Sequence, residues 1–188
     1  MSIPRLIMGQ TAVLVVDVQE RLMAQIHEAG RVAEQVGRLV DIAAALGLPL
    51  LVSEQYPQGL GPTIPEIAAK IDAAGSYVDV FRQQKLKFSA CVEAVRDKLA
   101  ALHARTVLVC GVEAHVCVLQ TCLDLAEAGL TAAVVADAVG SRRAVDCQTA
   151  LARLTQAGIV PTTVESAALE LLHEAGGEGF KAILPLIK

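Results

Sequence analysis

Short apolar runs recur along this chain, separated by segments whose apolar positions repeat every three or four residues. Six runs predict strands, at 12–16, 50–52, 77–81, 107–109, 132–136 and 159–163. Most are apolar at every position, the pattern of strands covered by helices on both faces and therefore of a parallel sheet. In 32–46 the apolar side chains fall at Val32, Val36, Leu39, Val40 and Ala43, and Gly47 follows as a stop signal. A second helix is expected over 89–102, with Ser89 as its cap and Glu93 near the place of a capping-box partner. Further helical patterns cover 115–128, ending at Gly129, then 141–157, ending at Gly158, then 165–173 and a short C-terminal segment. The segment 53–65, SEQYPQGLGPTIP, holds three prolines and two glycines and is expected to be a loop bordering a pocket.

Strand–helix alternation with short turns predicts βαβ units with right-handed crossovers. The expectation is one domain over 1–188, a three-layer α/β/α fold around a six-stranded, Rossmann-like parallel sheet of strand order 3-2-1-4-5-6. In such a sheet, ligands bind beyond the C-terminal strand ends, where the strand order reverses. That point lies between the first and fourth strands.

The polar residues just past the strands are therefore the candidates. Asp17 follows the first strand. Arg82, Lys85 and Lys87 follow the third. Glu113, His115 and Cys117 follow the fourth, and Asp137 the fifth. In the stretch VLVCGVEAHVCVLQ, Gly111 is read as breaking the strand, and Cys117 stands where helical spacing begins. A thiol at a helix N-terminus feels the positive end of the helix dipole, which favours thiolate. Asp17 and Cys117 would face each other across one crevice, with the carboxylate accepting the thiol proton and a lysine supporting both. Backbone N–H groups at the helix start would hold a developing oxyanion.

Simpler readings stand beside these. Cys117 is also a small hydrophobe suited to a core, and Asp17 suits a helix cap. Lys85 and Lys87 flank Leu86, and the pattern does not choose between them. Cys110 and Cys122 lie in apolar patterns and read as core. Asp137 reads as a strand-end carboxylate tying down the next loop. Gln19, Glu54, Tyr56 and His115 are candidates for lining a substrate pocket.

Composition narrows the function. Of 188 residues, 54% are hydrophobic, enough for a sizeable buried core. The net charge is −4, aromatics are 3% and Trp is absent, so neither a basic footprint nor a stacking platform for nucleic acid is expected. Five cysteines, an odd number with no CxxC pair, argue against a disulfide framework or a structural zinc site. Asp17 interrupts the first apolar run, no signal-peptide pattern opens the chain, and no segment approaches a membrane span. A reducing, cytoplasmic setting, a small-molecule substrate, no membrane partner and no cofactor are expected.

Four motifs then combine: VLVVDVQE at 13–20, KLKFSA at 85–90, GVEAHVCV at 111–118 and DAVGSRR at 137–143. In this order, over nearly the whole chain, they resemble the isochorismatase-like hydrolases. The closer likeness is to the cysteine-hydrolase branch, related to nicotinamidase and carbamoylsarcosine amidohydrolase. The resemblance implies an Asp17-Lys85-Cys117 triad, the lysine chosen because it stands three residues before Phe88-Ser89. It implies a cis peptide at Val112–Glu113 and an oxyanion hole formed by the Glu113 and Cys117 N–H groups. It also implies a homo-oligomer and hydrolysis of a small amide-like C–N bond through a thioester. Two departures matter. The stretch SEQYPQGLG has no histidine, against the metal-binding pattern of nicotinamidases, so no metal is expected. Cys117 argues against vinyl-ether cleavage by true isochorismatases, which lack that thiol. An oligomeric scaffold of the same fold with little turnover is the alternative. A redox pairing of Cys117 with Cys122 is disfavoured because their spacing puts them on different helix faces.

Overall fold

In a computed structural model, residues 4–188 are described. The elements run β1 (Thr11–Val16), α1 (Glu20–Met23), α2 (Ala29–Leu46), β2 (Leu50–Gln55), α3 (Pro57–Leu60), α4 (Pro65–Ala74), β3 (Val80–Lys85), α5 (Glu93–Ala101) and β4 (Thr106–Val112). A π-helical turn (Ala114–Val118) leads into α6 (Leu119–Glu127), followed by β5 (Thr131–Gly140), α7 (Ala144–Gln156), β6 (Val160–Thr162), α8 (Val164–Leu172) and α9 (Glu178–Ile187). The six strands form one parallel sheet in the order β3-β2-β1-β4-β5-β6. This is the expected order, and the reversal falls between β1 and β4.

The continuous apolar runs have a direct cause. On β1, Val13 and Val15 pack toward α2, α4, α8 and α9, while Ala12, Leu14 and Val16 pack toward α5, α6 and α7. Every residue of β1 is buried because successive side chains enter two different cores. Among the described residues, no helix is long and apolar enough to cross a membrane.

Several boundaries differ from those expected. The third strand spans Val80–Lys85, not 77–81. As an edge strand it is paired on one side only, and its polar VFRQQK sequence hides it from an apolar-run search. β2 continues to Gln55, so Ser53, Glu54 and Gln55 are strand rather than loop. The prolines of the same segment do not deny helix: Pro57 opens a single turn and Pro65 opens α4. At a first helical position proline loses nothing, since that N–H has no partner within the helix. Ile67, Ile71 and Ala74 then line the buried face of α4.

Gly111 does not end β4. The strand runs through it to Val112, with Gly111 opposite Val16 at φ +111°. A Cβ there would stand 2.0 Å from the Val16 carbonyl oxygen, so only glycine lets β4 pass β1 this closely. β5 extends to Gly140, which places Asp137 within the strand and not at its end. Its carboxylate accepts from Val164 N (3.0 and 3.3 Å) and so anchors the start of α8. Ser89 is not a helix cap: α5 begins at Glu93 after Val92, and Ser89 Oγ accepts from Cys91 N in a local turn. α7 likewise starts at Ala144, leaving 141–143 as a loop at the end of β5.

Candidate active site

The C-terminal ends of β1, β2, β3 and β4 converge at the reversal of strand order. β1 ends at Val16, and Asp17 turns out of the strand with a left-handed backbone, φ +53°. Its amide still donates to Ser53 O (3.1 Å), which holds the turn to β2. Lys85, the last residue of β3, reaches across β2 and donates to Asp17 Oδ2 (2.7 Å). Both side chains are buried, 1% and 0% exposed.

A buried ion pair survives only when its remaining polar atoms are satisfied. Here they are. The other two N–H groups of Lys85 Nζ are shared among Gln55 Oε1 (2.8 Å), Phe88 O (2.9 Å) and Lys87 O (3.1 Å). Ser53 Oγ donates to Asp17 Oδ1 (2.7 Å), so each carboxylate oxygen has a donor. Among the described residues, every fully buried side-chain nitrogen and oxygen has a hydrogen-bond partner.

Cys117 lies in the π-helical turn between β4 and α6, with 5% of its surface exposed. Its thiol is pushed up to about 12. Burial is the largest cause and the negative charge of Asp17 the second; the Lys85 ammonium opposes both. A hydrogen bond to Asp17 also favours the protonated sulfur, while the Glu113 backbone favours the thiolate. This is the opposite of the direction expected from the helix dipole. Desolvation outweighs the dipole, because Cys117 sits within an irregular buried turn and not at an open helix end. At neutral pH the sulfur therefore carries its proton, with the Asp17 carboxylate beside it.

The other candidates lie around this group. The Val112–Glu113 peptide bond is cis. The Glu113 carboxylate is turned away from the sulfur and accepts from Arg142 N and Nε (3.0 Å each). His115 Nδ1 is 3.0 Å from Ser141 Oγ and so faces the loop after β5. Gln19 is fully buried, and its amide is engaged by backbone. Nε2 donates to Gln55 O (3.0 Å) and Gly61 O (2.6 Å), and Oε1 accepts from Gln55 N (2.7 Å). It clamps the end of β2 to the segment before α4, and no polar atom is left for a pocket.

Glu54 points to the opposite side of β2 from Ser53 and Gln55. There its carboxylate accepts from Thr63 N and Oγ1, and it lines a cleft of about 440 Å³ beneath α4. Tyr56 has a left-handed backbone and is half exposed beside Lys85 and Leu86 in a shallow depression. Lys87 offers its carbonyl, not its ammonium, to the site. Among the described residues, no three His, Cys, Asp or Glu side chains form a group that could hold a metal ion.

Sequence reasoning missed Ser53, Gln55 and Thr121. The first two lie in the segment expected to be a loop. Extending β2 by three residues would have put Ser53 and Gln55 on one face, two residues apart.

Known proteins resemble this chain along most of its length. The family model described as "Isochorismatase domain" matches residues 11–166. Isochorismatase domain-containing protein 2 of Pongo abelii is 37% identical over 188 residues, covering 100% of this chain and 87% of that protein. The secreted isochorismatase effector Isc1 of Phytophthora sojae is 40% identical over 186 residues, covering 98% and 87%. Among solved structures, the MAR1 ribonuclease of Caenorhabditis elegans superposes with a TM-score of 0.90 at 36% identity, covering 98% of this chain and 92% of that one. The Escherichia coli YcaC gene product, described as an octameric hydrolase of unknown specificity, gives 0.85 at 25% identity, covering 99% and 92%.

Proposed function

This chain belongs to the isochorismatase family, and on that premise we propose that it is a cysteine-dependent hydrolase of a small amide-like C–N bond. The observation that carries the reading is the buried, fully bonded Lys85–Asp17 pair, near enough to Cys117 that both charges act on its thiol. Asp17 takes the thiol proton as sulfur attacks the carbonyl carbon. Lys85 holds the carboxylate in place and offsets negative charge as it develops on sulfur. The Glu113 and Cys117 N–H groups receive the oxyanion. The proton passes from Asp17 to the leaving nitrogen, ammonia or an amine departs, and a Cys117 thioester remains. Asp17 then draws a proton from water, whose oxygen attacks the thioester. The acid leaves and the thiol is restored.

The ion pair also weighs against a pure scaffold. A buried pair contributes little to stability, and apolar replacements are often as good or better. A fold that served only assembly would have no physical need of Lys85 beside Asp17. Assembly and catalysis are compatible, and we place the chain in a homo-oligomer, by analogy with the octameric E. coli relative. The exposed Tyr77, Leu86, Phe88 and Val145 supply apolar surface for such contacts. The net charge of −4 favours a small-molecule substrate over RNA, despite the ribonuclease name of one relative. Five free thiols fit a reducing compartment such as the cytoplasm.

The test is a panel of small primary amides assayed for released ammonia, with intact-protein mass spectrometry to trap the acyl-enzyme. Turnover and an adduct on Cys117 are expected. Cys117→Ala should lower kcat by at least about a thousandfold, as loss of a nucleophile usually does. Residual activity above about one per cent would sink covalent catalysis.

A further inference from the structure

Thr121 is one of the few polar side chains in the interior between the sheet and α6, and it is fully buried. Its hydroxyl makes two bonds. It donates to the carbonyl of Cys117 (2.6 Å) and accepts from the amide of Ala90 (2.8 Å). The first bond is an ordinary one: threonine in a helix often turns back to the carbonyl four residues earlier. The second is not local, since Ala90 lies 31 positions away in the chain.

Ala90 ends the segment that begins at Lys85. The Lys85 ammonium is wrapped by that same segment, through the carbonyls of Lys87 and Phe88. One hydroxyl thus joins the loop around the lysine to the turn that presents the sulfur. From this geometry we infer that Thr121 is a positioning residue. It sets the place of Cys117 relative to Asp17 and Lys85, and the inference rests on Cys117 being the nucleophile.

Valine has nearly the shape of threonine but can make neither bond. Thr121→Val would leave the Ala90 N–H and the Cys117 carbonyl without partners in a dry interior and untie the turn from the loop. The thiol is held protonated chiefly by burial and by Asp17, both of which depend on the sulfur staying where it is. Lys85 and the Glu113 backbone act the other way but are outweighed. A sulfur released from this position therefore moves back toward ordinary thiol behaviour.

The experiment is site-resolved alkylation by iodoacetamide across pH 6 to 12.5. Mass spectrometry follows each cysteine in the wild type, Thr121→Val, Thr121→Ser and Asp17→Asn. In Thr121→Val the Cys117 midpoint should fall by about one pH unit or more, with alkylation at pH 8 about tenfold faster. Thr121→Ser, which keeps the hydroxyl, should hold the wild-type profile. A wild-type midpoint in Thr121→Val overturns the inference, even if the overall rate or the melting temperature changes. So does a shift in Thr121→Ser as large as that in Thr121→Val.

If Cys110 and Cys122 also react in Thr121→Val, the core has opened. The wild type then decides the matter, through hydrogen exchange at the Ala90 amide before and after Cys117 is alkylated. Faster exchange supports the link between turn and loop, and unchanged exchange overturns it. Asp17→Asn separates this inference from the hydrolase reading. If it leaves the Cys117 profile unmoved, the triad itself is wrong, whatever Thr121 does.

Discussion

At the scale of single residues, the site is governed by competition between desolvation and charge at Cys117. Burial and Asp17 hold the proton on sulfur, and Lys85 alone among the neighbouring charges favours its release. On the proposed mechanism the proton is therefore transferred during attack, not before it, and Asp17 has two opposite effects in one side chain. Asp17→Asn separates them. Removing the negative charge and its hydrogen bond takes away two of the causes that raise the thiol, so its pKa should fall from about 12. Alkylation of Cys117 at pH 8 should become at least about tenfold faster. Turnover of an amide should nevertheless drop by about a hundredfold or more, because the proton acceptor is gone. Parallel measurement of the two rates is decisive. A fall in both would mean that Asp17 acts through structure alone.

At the scale of elements, the site depends on how closely β4 can pass β1. Gly111 sits opposite Val16, one residue before Asp17, with a backbone that only glycine adopts freely. Gly111→Ala would press a methyl group into the Val16 carbonyl and strain the backbone as well. It should destabilise the protein by about 3 kcal/mol or more. For a chain of this size, that lowers the melting temperature by roughly 6–12 °C. A loss of less than about 2 °C in a thermal melt would show that β1 yields easily and that the close approach is not needed. The same region explains the misread boundaries. An edge strand such as β3 needs no continuous apolar run, and a proline at the first position of α4 is harmless to the helix it opens.

At the scale of the whole molecule, all five thiols are raised by burial in the folded chain. In the unfolded chain they titrate as ordinary thiols, at about 8.5. Between that value and the folded values, the unfolded chain binds fewer protons, so stability falls as pH rises. Cys122, raised to about 12 by burial alone, illustrates the effect without a charged partner. Each strongly buried thiol should steepen the loss by about 1.4 kcal/mol per pH unit in this window. Denaturant melts at pH 8, 9, 10 and 11 should show stability flat at first and then declining. Replacing Cys122 by Ala should lower the plateau but flatten the decline. An equal slope in the two proteins would show that Cys122 is not desolvated as described.

The sequence by itself determined the fold class and the strand order, and it offered Asp17, Cys117 and two lysines, Lys85 and Lys87, near the strand ends, with only the resemblance to a known family preferring Lys85. It could do so because continuous apolar runs require a sheet covered on both faces, and such a sheet places the residues after its strands at one crevice. Only the tertiary structure decided what those residues do to one another. It selected Lys85 over Lys87 as the partner of Asp17, since the last position of β3 points back toward β1. It turned Gln19 and Glu54 to backbone and to the far side of β2. It brought in Ser53, Gln55 and Thr121 through hydrogen bonds between elements distant in the chain. It reversed the expected direction at Cys117, because desolvation depends on what surrounds a group in space, and neither periodicity nor spacing along the chain reports that.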